Sequence, residues 1–161
     1  MMIKPGDAVP AAKFKKLQGS EIKEIATDEL FKERKIVVFG VPGAFTPTCH
    51  LQHLPGYIEN SDALLAKGVD EIAVIAVNDP FVMSAWARST DAEGKVLFLA
   101  DPEADFTRSI GMDIDLRVAG LGTRSKRYSA VITNGVVEIL NLDEDPGQAD
   151  RSQAKELLRQ L

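Results

Sequence analysis

The chain has 161 residues, 45% of them hydrophobic and 27% charged, with a formal net charge of -5, a globular composition with length for a single domain over residues 1–161. The negative balance argues against nucleic acid and anionic membrane surfaces as partners, because both require a positive footprint to displace counterions. One cysteine, Cys49, allows no internal disulfide, and no stretch approaches ~20 apolar residues or forms a secretory leader, so a soluble cytoplasmic protein is expected.

In chain order, Ile36–Val41 is a continuous apolar, β-branched run, the pattern of a strand buried on both faces. After Thr48, residues Leu51, Leu54, Ile58, Leu64 and Leu65 recur at helical spacing up to Gly68, with a kink expected at Pro55 and Gly56 and Cys49 in the first turn. Glu71–Val77 and Lys95–Ala100 repeat the buried-strand pattern, and each leads to an Asp-Pro pair, Asp79-Pro80 and Asp101-Pro102. Asp as N-cap with Pro at the first helical position predicts helices over 81–88 and 104–110, the second stopped by Gly111. Strand-helix alternation implies parallel pairing.

Tyr128–Thr133 and Val136–Leu140 flank Asn134-Gly135, a dipeptide that suits the positive φ angles of a type I′ turn and predicts a hairpin. Asp150–Gln153 reads as a capping box ahead of a closing amphipathic helix with Ala154, Leu157, Leu158 and Leu161 on its apolar face. A mixed central sheet with flanking helices is the thioredoxin-like α/β arrangement, although periodicity alone also permits other small α/β folds.

The chemistry turns on Cys49. A free thiol is only about 3% ionised at pH 7, and the thiolate is the nucleophile. Ionising most of it at that pH requires about 3.4 kcal/mol of preferential stabilisation of the anion. A helix N-terminus supplies about 0.3 to 1 kcal/mol, and about 2 at best, so a cation within about 4 to 6 Å is needed as well. His50 points away from the thiol as the next helical residue, whereas arginine stays charged when half buried. The segment Arg117–Arg127, "RVAGLGTRSKR", is the richest supply, yet composition reads it as a solvated basic loop and selects no single arginine.

Other readings are weaker. A lone cysteine is more often a small buried hydrophobe than a nucleophile. Cys49, His50 and His53 are too few for a structural zinc site, and His53 reads as a hydrogen-bonded structural histidine. Gly120-Leu121-Gly122 lacks the strand-turn-helix context of a dinucleotide loop. Phe81, Met83 and Trp86 read as helix packing.

Pro42-Gly-Ala-Phe-Thr46-Pro-Thr-Cys49 resembles the P-x-x-x-T-x-x-C signature of the peroxiredoxins. With "HLPGYIE", "VNDPFVMSAW", "EGKVLFLADP" and "GLGTRSKRYS" following in order, the chain from Lys4 to Leu142 is similar to the peroxiredoxin-five branch, which includes the plant type II peroxiredoxins. The resemblance implies a thiol peroxidase that reduces hydrogen peroxide and alkyl hydroperoxides. It assigns Cys49 as the attacking thiol, Thr46 as hydrogen-bond partner of peroxide and thiolate, Pro42 as a shield against water and Arg127 as the paired cation. It implies no metal, haem or flavin cofactor, and a homodimer packed edge to edge near the active sites, with Phe45 and the segment around Phe81 and Trp86 at that edge.

Two departures stand out. Many members carry a second cysteine, in the strand corresponding to Glu71–Val77 or after the last strand; here the strand holds Val74 and none follows Leu142. A one-cysteine enzyme forms a sulfenic acid that an external thiol must reduce, whether glutathione with glutaredoxin or thioredoxin. The alternative is a redox sensor or thiol relay that passes oxidation of Cys49 to a partner protein. His50 also stands where small polar residues are usual in relatives.

Overall fold

Three apolar segments make the middle of the sheet. In the computed structural model, which describes residues 2–161, β3 (Lys35–Val41), β4 (Glu71–Ala76) and β5 (Leu97–Ala100) lie parallel, matching the buried-strand runs to within two residues at each end. The hairpin of β8 (Arg127–Thr133) and β9 (Val136–Asp143) joins antiparallel to β3. Its two-residue turn puts Asn134 at φ 47° and Gly135 at φ 78°, the type I′ geometry that Asn-Gly favours.

A second hairpin that the apolar pattern does not reveal, β1 (Lys13–Gln18) with β2 (Glu21–Ala26), covers the β5 edge. The seven-stranded order is β2-β1-β5-β4-β3-β8-β9, and a separate two-stranded ribbon joins β6 (Asp113–Asp115) to β7 (Thr123–Ser125).

Alternation along the strands builds a core on each face. Val37, Phe39, Val41, Ile72, Val74 and Ala76 pack against α2 (Leu54–Glu59), α3 (Ser61–Ala66), α4 (Pro80–Ser89) and α6 (Ala154–Gln160). Ile36, Val38, Ala73 and Ile75 face α1 (Thr27–Phe31) and α5 (Asp105–Ser109). This is the thioredoxin-like α/β architecture, a mixed sheet with helices on both sides. Gly40 faces Tyr128 across β3 and β8, and a Cβ there would meet Tyr128 Cε1 at 2.1 Å, so only glycine lets this ring cross the strand.

Two local expectations change and a third gains detail. The helical stretch after Thr48 carries an irregularity just ahead of Pro55: Cys49–His53 forms a π-turn, with Leu54 N–H donating to the Cys49 carbonyl, and Pro55 lies in the first turn of α2. The wider turn accommodates the proline ring upstream, and a further break falls at Asn60 (φ -100°, ψ 10°). Asp101 is not an N-cap followed by Pro102 at the first helical position. Ala104, in the left-handed region at φ 60°, precedes α5, and the buried Asp101 carboxylate reaches in to accept from Phe106 N–H (3.3 Å), Thr107 N–H (2.8 Å) and Thr107 Oγ (2.7 Å). Asp150–Gln153 is not a capping box, because α6 starts after Gln153 and Asp150 belongs to the loop before it.

Candidate active site

β3 ends at Val41, and the chain turns through Pro42–Thr46 into the helix that holds Cys49. Phe45 occupies the left-handed region at φ 65°, a conformation that costs a bulky residue and reverses the chain sharply above the sheet. Asn78, just after β4, holds the turn by accepting from Ala44 N–H at 3.0 Å. The turn drops Cys49 into the core, with 0% of its surface exposed.

Register then supplies the cation. Gly40 pairs with Tyr128, so Arg127, one residue earlier on β8, sits beside the end of β3 where the turn begins. Its guanidinium, 1% exposed, donates from Nη2 to Cys49 Sγ at 3.1 Å. The remaining donors are held: Nε and Nη2 reach the Pro146 carbonyl at 3.0 and 2.9 Å, and Nη1 reaches His53 Nδ1 at 3.0 Å. No carboxylate forms an ion pair with Arg127 among the described residues, which leaves its charge to the sulfur.

His53 is fixed in one tautomer. Its Nε2 lies 3.0 Å from the Ser152 carbonyl, which can only accept, so Nε2 carries the proton and Nδ1 accepts from Arg127. Burial and then the Arg127 charge hold its pKa down to about 3, against the weaker opposite pull of the Ser152 hydrogen bond and Asp143. It is a neutral prop for the guanidinium. Tyr57 donates to the same Ser152 carbonyl at 2.6 Å and stacks on Phe39 with ring centroids 4.0 Å apart; burial pushes its hydroxyl far above the usual phenol range.

Thr46 and Pro42 stand in the same turn with different contacts. Thr46 Oγ donates to the Gly43 carbonyl at 2.7 Å, which commits its proton and leaves its lone pairs free to accept. Pro42 is buried, and its carbonyl accepts from Arg124 Nη1 at 3.3 Å. Arg124 is a second guanidinium at this site: Nε donates to the Leu121 carbonyl at 2.8 Å, and a Cβ on Gly43 would meet Nη1 at 2.6 Å, so glycine makes its room. Partial burial pulls its pKa down while the Cys49 charge pulls it up, so the two groups feel each other although only Arg127 touches sulfur.

His50 turns away from the thiol, as its place on the helix predicts. Its Nδ1 accepts from Trp86 Nε1 at 3.0 Å, and its ring lies 5.6 Å from that of Phe45. Trp86 and Met83 are packed inside α4, but Phe81 is 57% exposed and is not a packing residue.

The loop from Asp143 to Ser152 is the part of the site that residue types did not announce. Pro146, Gly147 and Ser152 contribute main-chain carbonyls, to Arg127, to Thr48 Oγ (2.7 Å) and to His53 with Tyr57. A carbonyl belongs to every residue, so no side-chain motif marks it. The buried thiol, paired cation, open acceptor at Thr46 and absence of any other cysteine suit nucleophilic sulfur chemistry.

Comparison with known proteins gives the same direction. The redoxin family profile matches residues 4–158. The chain is 43% identical over 157 residues to "Peroxiredoxin-2C" of Oryza sativa subsp. japonica, covering 97% of this chain and 96% of that one. Among solved structures, reduced Prx3 from Vibrio vulnificus in complex with H2O2 superposes at TM-score 0.94 with 43% identity over 99% of both chains. The Plasmodium falciparum antioxidant protein, a 1-Cys peroxiredoxin, superposes at 0.90 with 29% identity over 96% of both. End-to-end similarity of this kind, around a single cysteine that an arginine touches, places the chain in the peroxiredoxin family as a thiol-dependent peroxidase.

Proposed function

We propose that this peroxidase reduces hydrogen peroxide and alkyl hydroperoxides in the cytoplasm through a sulfenic acid on Cys49 that an external thiol, glutathione with glutaredoxin or thioredoxin, returns to the thiol. The observation that carries the assignment is the 3.1 Å contact between Arg127 Nη2 and Cys49 Sγ in a chain with one cysteine. The guanidinium stabilises the thiolate, which attacks one peroxide oxygen in line with the O–O bond. Sulfur supplies two electrons, the S–O bond forms as O–O breaks, and the departing oxygen takes up a proton to leave as water or alcohol.

Thr46 Oγ, its proton given to the Gly43 carbonyl, accepts a hydrogen bond from the peroxide O–H, while Arg127 and Arg124 face the charge that develops on the leaving oxygen. Pro42, buried beneath the turn, keeps water from the sulfur. The first reductant thiol then displaces water from the sulfenic acid to form a mixed disulfide, and a second thiol releases Cys49. The peroxide named with the Vibrio Prx3 structure supports hydrogen peroxide as substrate, and the one-cysteine Plasmodium relative supports recycling from outside.

We also propose a homodimer. Phe45, Leu51 and Phe81 are 48%, 69% and 57% exposed on segments that frame the thiol, an apolar edge that a second copy of the chain would cover. The deciding experiment is a reductant panel in a peroxide-consumption assay with Cys49→Ser as the blank. Multiple turnovers with glutathione and glutaredoxin, or with thioredoxin, establish the cycle. Oxidation of Cys49 without turnover under every reductant favours the sensor or relay reading instead.

A further inference from the structure

Asp143, the last residue of β9, is the cross-strand partner of Arg127, yet its carboxylate makes no ion pair with that arginine. It turns into the following loop instead. Oδ1 accepts from Arg151 N–H at 2.8 Å and Asp150 N–H at 3.2 Å, and Oδ2 accepts from Ser152 N–H at 3.1 Å and from the Ser152 hydroxyl. A carboxylate is thus satisfied by three successive amides and a hydroxyl, which closes residues 143–152 into a ring. Asp143 is 6% exposed and Ser152 0%, so the clasp is buried. Charge-assisted bonds of this kind are the strong ones.

Both ends of the ring lead to the guanidinium. Along one arm, the loop presents the Pro146 carbonyl that holds Arg127 Nε and Nη2. Along the other, Ser152 N–H is held by Asp143 while its carbonyl fixes the His53 tautomer, and His53 Nδ1 holds Arg127 Nη1. Apart from the sulfur, the three donor groups of Arg127 that make contacts rest on supports that Asp143 locks. We infer that Asp143 is a positioning residue for peroxide reduction: it keeps the closed loop in the shape that aims Arg127 Nη2 at Cys49. The inference rests on the reading of Arg127 as the cation of the reaction.

The sign of the effect separates positioning from charge. As a bare anion near the site, Asp143 disfavours the thiolate, so removing its charge would raise the thiolate fraction and speed the reaction. As the anchor of Arg127, its loss lets the guanidinium drift, and thiolate and rate both fall. An error of about 1 Å in such a contact costs up to 10²-fold in rate.

The test is a double-mutant cycle of Asp143→Asn and Arg127→Ala, read as the second-order rate of Cys49 with hydrogen peroxide and as the pH dependence of thiol alkylation. Asp143→Asn is expected to slow the reaction about 10- to 100-fold and move thiolate formation to higher pH, with almost no further loss in the Arg127→Ala background. Asp143→Glu restores part of the rate. Ser152→Ala, which removes one donor and keeps both charge and main chain, gives a smaller loss of the same sign and serves if Asp143→Asn does not fold.

Unchanged or faster reaction in both Asp143→Asn and Ser152→Ala overturns the inference, as does an Asp143→Asn loss that is equally large without Arg127. If Arg127→Ala itself leaves the rate unchanged, the reading of that arginine fails and the inference falls with it.

Discussion

The turn before Cys49 and the loop that closes over it from the far end of the chain hold one guanidinium–sulfur pair by different means. Pro42–His53 contributes side chains whose chemistry is specific: a thiol, a threonine hydroxyl with an open acceptor, and an imidazole set in one tautomer. Asp143–Ser152 contributes carbonyls from Pro146, Gly147 and Ser152, shaped by one carboxylate. The turn carries the reacting atoms, and the loop determines where the cation stands. On the proposed mechanism, reactivity at Cys49 depends on two segments about ninety residues apart, joined by the register of β8 on β3.

Substitutions of decreasing severity probe that division. Cys49→Ser should abolish peroxide consumption, since no other cysteine exists in the chain, and turnover by this variant above a protein-free control would move the chemistry elsewhere. Arg127→Ala should slow oxidation of Cys49 by about 10²- to 10³-fold, the usual worth of an electrostatic partner aimed at developing charge. Thr46→Val keeps the shape of the side chain and removes the acceptor; stopped-flow oxidation should fall about 10- to 100-fold with melting temperature preserved. Arg124→Ala, which loses charge at the site without losing a sulfur contact, should cost less than Arg127→Ala, by about 10-fold or under. Equal losses for the two arginines would erase the distinction between the cation the loop holds and the one it does not.

The last effect is on stability. His53 stays neutral in the folded protein down to about pH 3, whereas its ordinary value is 6.5, so the unfolded chain binds more protons between those limits. Its contribution is complete above pH 6.5 and declines as pH falls toward 3, by at most about 1.4 kcal/mol per pH unit. Urea midpoints measured from pH 7 to 4.5 should therefore drop more steeply for the wild type than for His53→Gln. Parallel curves would separate His53 from the pairing of turn and loop.

Much of this fold was readable in the sequence because burial and turn chemistry are local there. The runs of β3, β4 and β5 are apolar on both faces, Asn134-Gly135 dictates its own turn, and Asp79 caps α4 by accepting from Val82 N–H at 2.8 Å. The same Asp-Pro pair misled at Asp101, where burial draws the carboxylate past the next turn to Phe106 and Thr107. The β1–β2 hairpin escaped notice because its edge position leaves β2 mostly exposed and rich in Lys and Glu, without an apolar run to mark it.

At the site, Cys49, Thr46 and Pro42 share one motif, and the family resemblance picks Arg127 from a basic segment that composition leaves undivided. The contribution of Asp143 has no such mark. Its loop reads as the approach to a helix, and the ring it closes depends on backbone groups and on a strand register that only the folded chain brings together.

The most direct measurement is the pH dependence of Cys49 alkylation in the wild type and in Arg127→Ala, both followed by intact-protein mass. If Arg127 is the cation that makes this thiol a nucleophile, the profile of the variant shifts to higher pH by at least one unit, the lower end of what a neighbouring charge supplies, about 1 to 3 units. Superimposable profiles would contradict the account.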